Sequence, residues 1–314
     1  MNSIGGYFEL ELQVNKEYHK NSLKLNTGRN ALEYILLANN YKKIYLPYYS
    51  CDVLIQPIKK NKIEFEFYRI NQKFEPIFDY DKLKPKEAFL FINFFGLKDL
   101  FINEKLLKYS NLILDNSQSF FSKAIKNIDS FNSARKFFGV PDGAYLFCNN
   151  KLNIDLQLHI SYNKTEHLLK RIDLSPEDGF IDFKKNEKYL NDIPMLNMSK
   201  LSEKILQSIN YKSIASIRRD NFFKLDNALS NLNHLKFDLT NKSVPFIYPF
   251  LSLDKTKRKK LLENKIYTAK YWPNVLNLVN KDTLEYKFSE DLICLPIDQR
   301  YSSKEMQKII NIML

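Results

Sequence analysis

Two short stretches decide the fold: Ala88-Phe89-Leu90-Phe91-Ile92 and Asn111-Leu112-Ile113-Leu114-Asp115. Neither alternates polar with apolar residues. Continuous apolar runs of this length mark strands covered on both faces, and such strands belong to parallel sheets flanked by helices. The period switches repeatedly around them. Lys43-Ile44-Tyr45-Leu46-Pro47 is a short strand ended by proline, residues 63–68 alternate in strand fashion, and residues 144–148 form a further apolar run. Between them, Ala31, Leu32, Ile35 and Leu36 fall on one face of a helix opened by Thr27-Gly28-Arg29-Asn30, and residues 51–60 (despite Pro57) and 99–109 also read as helical. Strands alternating with helices predict an α/β chain with a mostly parallel, doubly wound sheet. The reading assigns residues 1–195 to this large domain. Residues 196–314 read as a smaller α+β domain, with a long helical region over 199–232, strand-like runs at 246–251 and 292–296, a basic helix between these, and a final helix over 303–313.

Composition supports a folded core. Of 314 residues, 44% are hydrophobic and 14% aromatic, which excludes wholesale disorder. The net charge of +12 raises nucleic-acid binding. Against it, the lysines are scattered, and the densest cluster, Lys255 to Lys260, sits where a helix begins and reads as a solvated face. Cys51, Cys148 and Cys294 are far apart and in no metal-ligand spacing, so neither a disulfide framework nor a metal is implied, and the last two read as small core residues. No basic segment followed by an apolar stretch opens the chain, and no apolar run approaches the roughly 18 residues of a membrane span. A soluble, cytoplasmic protein is expected. Glycine is scarce, 7 in all, so each is expected where no other residue serves.

Ligands in doubly wound sheets bind beyond the carboxyl ends of the strands, so the chemistry is sought after Leu25, Leu46, Ile92 and Leu114. Asn26-Thr27-Gly28-Arg29-Asn30 precedes a helix, whose N-terminus offers free N–H groups to an anion; Gly28 admits close approach, and Thr27 and Arg29 add a hydroxyl and a guanidinium. The competing reading is a plain N-cap. Asp115 ends its strand as a helix cap or as the partner of a cationic ligand atom; with no second acid or His beside it, a metal is disfavoured. Lys136 follows 21 residues later, between small residues and Phe137-Phe138-Gly139, in a stretch too apolar for an ordinary loop. A lysine drawn into such surroundings is more easily neutralised, as a nucleophilic amine requires; the alternative is a lysine snorkelling from a half-buried turn. An anion-binding helix start, a strand-end Asp and a later lysine together form the set that pyridoxal phosphate needs.

At these residues the sequence resembles the fold type I pyridoxal-phosphate enzymes and, within them, the DegT/StrS family of sugar aminotransferases. The similarity runs from about Leu25 to Asn149. Thr27-Gly28 followed by Ala31-Leu32 is similar to the family's phosphate-side motif, Leu46 to Cys51 to the strand and turn whose last residue packs over the cofactor ring, and Asn93 to Gly96 to a strand end with its glycine. Asp115 and Gln118 resemble the Asp-x-x-His/Gln pair, which implies Asp115 on the pyridine nitrogen and Gln118 near the phenolic oxygen. Lys136 resembles the Schiff-base lysine, Asp142-Gly143 the acidic-glycine pair after it, and Leu295-Pro296 a late element of the small domain. The sequence departs from the family at Arg29, where a Thr is usual, and at Cys51, where the stacking residue is usually aromatic; Tyr48 and Tyr49 are possible substitutes. Ser133 is preferred to Ser130 as the serine before the lysine.

The resemblance implies an aminotransferase with pyridoxal 5′-phosphate, an amino-acid donor and a keto-sugar acceptor, probably nucleotide-linked. Catalysis would rest on Lys136 and Asp115, with Thr27, Gly28, Arg29, Cys51, Gln118 and Ser133 binding the cofactor. It also implies a homodimer sharing its active sites, with Asn197 reaching in across the interface, Arg218 or Arg219 holding a donor carboxylate (the competing reading is a solvated residue of a long helix) and Tyr7, Phe8 and Glu9 lining the entrance. Members without the lysine perform dehydration, so Lys136 favours transamination. The alternatives are a catalytically silent relative acting as a sensor or partner-binding protein, suggested by Cys51 and Arg29, and a nucleic-acid-binding protein.

Overall fold

The computed structural model describes residues 4–314; the first three residues of the expected large domain lie outside the described residues. β1 (Leu23–Leu25) leads into α1 (Gly28–Ala38), where the Thr27 hydroxyl caps the helix by accepting from the Asn30 amide. The apolar face read from the sequence is the buried one, with Ala31, Leu32, Ile35 and Leu36 all fully covered. β2 (Lys43–Pro47) is followed by a tight turn and α2 (Ile55–Lys60). Pro57 falls in the first turn of that helix, where a missing N–H costs nothing. Next come β3 (Glu64–Ile70), β4 (Pro76–Ile77), β5 (Glu87–Ile92), α3 (Asp99–Phe101) with a wider helical turn to Leu106, β6 (Leu112–Asn116), β7 (Asp129–Ser133) and β8 (Ala144–Phe147).

These eight strands form one sheet in the order β1-β8-β7-β6-β5-β2-β3-β4. The pairs β7–β6, β6–β5, β5–β2 and β2–β3 are parallel, whereas β8 is antiparallel to both β7 and β1, and β4 to β3. β1 consequently runs in the same direction as β7. The segments leaving β1, β2, β5, β6 and β7 therefore all emerge at one edge of the sheet, as a mostly parallel fold requires of a binding edge.

Two regions depart from the sequence reading. β7, Asp129-Ser130-Phe131-Asn132-Ser133, is buried throughout although its pattern is polar. Part of that polarity is satisfied internally: Asp129 accepts from Asn39 and Asn149, and the Asn132 NH2 donates to the carbonyls of Ser119 and Phe120, whereas Ser130 Oγ and Asn132 Oδ1 have no partner. The helical region over 199–232 is two helices, α6 (Lys200–Gln207) and α7 (Tyr211–Leu229), because the Asn210 side chain accepts from the Ser213 amide and starts a new helix. Ahead of them, α4 (Glu166–Asp173) and α5 (Phe180–Asn191) form a helix pair that no periodicity announced. Gly179, read as an ordinary loop turn, is a packing contact between these two: a Cβ there would stand 3.0 Å from the His167 carbonyl oxygen.

The rest of the chain forms β9 (Tyr248–Phe250), α8 (Thr256–Glu263), α9 (Leu284–Asp291), β10 (Ile293–Leu295) and α10 (Ser303–Met313); β9 and α10 pack on α7, α8 on α10, and α9 against β3 of the large sheet. β10 pairs antiparallel with β9, and α10 buries Met306, Ile309, Ile310 and Met313. The basic run on α8 is largely solvated, except that Lys257 is buried and donates to the Met313 carbonyl at the end of α10. Cys294 is buried in β10, but Cys148 is only half-buried beyond the end of β8. Among the described residues, no helix is long and apolar enough to cross a membrane.

Candidate active site

The binding edge gathers residues from five loops. Asp115, near the end of β6, pairs in register with Phe131 of β7, so the two share a face of the sheet. Ser133 stands two residues beyond Phe131 and keeps that face, whereas Ser130 and Asn132 point to the other. Strand alternation thus selects Ser133 over Ser130. The same face meets α1: a Cβ on Gly28 would lie 3.6 Å from the Phe131 ring and 3.4 Å from Ser117 Oγ. Gly28, Ser117, Asp115 and Ser133 hence surround one space at the N-terminus of α1.

Asp115 is buried and accepts from the Ser117 amide at 2.8 Å. Burial raises its pKa, while the hydrogen bonds from Ser117 and the charge of Lys136 act in the opposite direction. Lys136 ends a short helical turn, Ala134–Lys136, that follows β7 directly. It is exposed and unpaired among the described residues, yet its charge reaches Asp115, Cys51 and Glu187. This corrects one expectation: Phe137 and Phe138 are buried beneath the turn and do not enclose the amine, so apolar surroundings are not what would neutralise it. Gln118 accepts from the Phe95 amide through its side-chain oxygen (3.1 Å), leaving its NH2 end as a donor. Gly96 beside it has φ +69, and a Cβ would stand 2.9 Å from the Val244 carbonyl, so only glycine fits.

Thr27 is compatible with both of its readings: its hydroxyl accepts from the Asn30 amide and caps α1, and its O–H is left to donate to an anion. Three other residues behave differently from theirs. Arg29 turns away from the helix start: Nη1 donates to the Leu190 and Asn191 carbonyls at 2.7 and 2.9 Å. Neither Tyr48 nor Tyr49 substitutes for Cys51. Tyr48 stacks on Phe67 with Arg69 over its ring, and Tyr49 is fully buried among Phe74, Phe94, Trp272 and Phe288. Cys51 is the residue of that loop whose charge state responds to Lys136: burial raises the thiol pKa and Lys136 opposes the rise.

The lysine turn is braced from below. Arg218, expected to be solvated or to meet a donor carboxylate, is buried; it donates to Gln299 Oε1 (3.0 Å) and the Phe246 carbonyl (3.0 Å), and its guanidinium lies 4.5 Å from the centre of the Phe137 ring. Burial pushes its pKa down to about 10. Gln299 in turn donates to the Phe137 carbonyl at 2.8 Å. Asp142 is wholly buried and accepts from His159 Nδ1 (2.8 Å), from the Ser199 amide and hydroxyl (3.0 and 2.7 Å) and from the Ser202 hydroxyl. These bonds outweigh burial and hold its pKa below the usual carboxylate value.

The remaining assignments do not gather here. Arg219 donates to the Thr240 and Ser243 carbonyls, and the Asn197 side chain donates to the Leu156 carbonyl at 2.6 Å. Phe8 and Glu9 lie along α6 beside Lys204 and Gln207, and Tyr7 is fully exposed. The structure adds Ser117, Arg135 and Glu187, which sequence reasoning passed over. Ser117 and Arg135 adjoin Asp115 and Lys136 in the chain; Glu187 carried no local signal.

The fit to pyridoxal phosphate is tested by these donors. A buried carboxylate, an unpaired amine, a free amide NH2, the Thr27 and Ser133 hydroxyls and the Gly28 helix start suit its ring nitrogen, aldehyde, phenolic oxygen and phosphate, whereas Arg29 is committed elsewhere. No family model matches the chain, and no curated protein does. Solved structures match over almost its whole length. Spr1654 of Streptococcus pneumoniae in its PLP form has 15% identity and a TM-score of 0.63, covering 93% of this chain and 86% of its own. The sugar aminotransferase CalS13 of Micromonospora echinospora has 11% identity and a TM-score of 0.62, with 93% and 86% covered. A DegT DnrJ EryC1 StrS aminotransferase of Brucella abortus has 13% identity and a TM-score of 0.60, with 93% and 84% covered. At such identities the likeness is one of fold, and it is the fold that the sequence led one to expect.

Proposed function

We propose that this fold works here as a pyridoxal-phosphate-dependent aminotransferase, moving an amino group from an amino acid to a keto-sugar, the sugar being nucleotide-linked and the product an amino sugar for surface polysaccharide. One observation carries the reading: the exposed, unpaired amine of Lys136 follows β7 and the buried carboxylate of Asp115 lies near the end of the neighbouring parallel strand β6, both at the carboxyl edge of the sheet. The matched aminotransferases and the ordered set of sequence motifs support it. A cytoplasmic homodimer is proposed with it, supported by the apolar side chains that α4 and α5 expose, among them Leu169, Ile172, Phe180 and Ile181.

When bound, the cofactor supplies an aldehyde for covalent attachment and an electron-withdrawing ring. Lys136 Nζ is the group placed to form that attachment. Once released by the incoming amine, the same nitrogen can take a proton from the substrate carbon and return it to the cofactor, as general base and then acid. Its free, exposed position suits both tasks. Asp115, whose charge burial disfavours, gains from a protonated ring nitrogen beside it and so keeps that proton in place. Gln118 can donate to the phenolic oxygen, and Ser117, Ser133 and the first amides of α1 can hold the phosphate. Cys51 would offer the ring a small, polarisable side chain in place of an aromatic one.

The purified protein, supplied with pyridoxal phosphate, is expected to show a visible absorption band that is absent in Lys136→Ala. A protein that stays colourless would sink the proposal and leave the catalytically silent relative, which the commitment of Arg29 to α5 favours. If the band forms, its bleaching by single amino acids identifies the donor.

A further inference from the structure

Two arginines, Arg135 next to Lys136 in the chain and Arg29 at the start of α1, are committed to one turn of α5. Arg29 Nη1 meets the carbonyls of Leu190 and Asn191, and Nη2 donates to Asn191 Oδ1 at 2.9 Å. Arg135 is ion-paired with Glu187. Glu187, Leu190 and Asn191 are three and four residues apart and share a face of the helix. A guanidinium binds oxyanions best through parallel N–H donors. Here the Nε of each arginine is buried and has no partner, so both sites are used below capacity.

The turn itself is held by buried Leu190, by Asn186 donating to the Pro141 carbonyl and by Tyr189 stacked on His159, but the Glu187 side chain is 42% exposed at its ion pair. Of the residues of α5 only Asp182, Asn186 and Leu190 are buried, whereas Phe180, Ile181 and Phe183 are exposed. The charges form one cluster. Burial works against the Glu187 carboxylate, but Arg135 and then Lys136 hold its pKa below the ordinary value, and Arg29 in turn feels both Glu187 and Arg135. A carboxylate already sits beside the reactive amine, supplied by the protein itself.

We propose that Arg29 and Arg135 form an oxyanion site beside Lys136, and that Glu187 with the last turn of α5 is its internal occupant, displaced by an anionic group of the substrate. This rests on the reading of Lys136 as the reactive amine. The anion has two possible sources, the carboxylate of the amino donor and the diphosphate of a nucleotide-linked acceptor. Either replaces one carboxylate and a few carbonyls with oxygens that reach all the guanidinium donors.

The test uses the Lys136→Ala protein, so that binding is read without reaction at the lysine. Glutarate and UDP are added separately, with chloride at matched ionic strength as control, and hydrogen exchange of amides 187–192 is followed together with affinity by calorimetry. At least one probe is expected to speed exchange there by about tenfold. Glu187→Gln should bind that probe about tenfold tighter, and Arg135→Gln about tenfold weaker. A response to glutarate alone assigns the site to the donor, and to UDP alone, to the acceptor. Unchanged exchange, a Glu187→Gln protein that binds no tighter, or an equal effect of chloride overturns the proposal. A missing visible band in the protein that keeps Lys136 overturns only the aminotransferase reading.

Discussion

Asp115 holds a carboxylate where burial opposes its charge, and only Ser117 and Lys136 work in its favour. A carboxyl whose folded pKa lies above its unfolded one binds more protons when folded. Its contribution to stability is therefore unfavourable at neutral pH and vanishes on acidification below the unfolded value. Asp115→Asn keeps the shape and removes the charge. The cofactor-free variant is expected to gain about 1 kcal/mol in urea unfolding while losing the activity that needs a charged partner for the ring nitrogen. A variant less stable than the parent would show that Asp115 is structural. Asp115 was legible because it closes a continuous apolar run, and Lys136 because a lysine 21 residues further on, before Phe137-Phe138-Gly139, completes the chemistry that such an Asp begins. Arg29 was misread because its partner, the carbonyl of Leu190, lies 161 residues along the chain.

The elements show the same division. β2, β5, β6 and β8 were plain because apolar runs announce strands buried on both faces. β7 was not, since its burial rests on long-range partners such as Asn39 and Asn149 rather than on hydrophobic side chains. α4 and α5 gave no signal because few of their residues are buried. α6 offers the sharpest test at this scale. Its N-cap Ser199 accepts from the Ser202 amide and donates to Asp142, so one hydroxyl closes a helix and satisfies a buried charge. Ser199→Ala removes both and should cost about 2 kcal/mol, more than an ordinary cap, in denaturant unfolding. A loss below about 0.5 kcal/mol would mean that the remaining donors compensate.

At the scale of the whole molecule, acid sensitivity follows from His19. The ring is buried among Tyr18, Phe120 and Tyr145; Nε2 donates to the Phe120 carbonyl at 2.6 Å, and Nδ1 has no partner. Burial lowers its pKa from 6.5 to about 4, with the Phe120 bond opposing and Lys123 assisting. Between those values the unfolded chain binds the proton and the folded one does not, so stability falls as pH falls. On going from pH 7.5 to 5 the loss from this group is about 2 kcal/mol, and a His19→Gln variant should lack that increment. Equal pH profiles for the two proteins would contradict the account.

The bracing of the lysine turn has a consequence for a chain made from its N-terminus onward. Every strand of the large sheet is complete by Phe147, but Asp142 waits for Ser199 and Ser202, and Phe137 for Arg218 and Gln299. During synthesis the sheet can assemble while the ribosome still holds the residues that fix Lys136. Lys136, the amine proposed to react, is thus among the last groups to be immobilised, and a nascent chain cut short of residue 299 would carry the whole sheet with its lysine turn still loosely held.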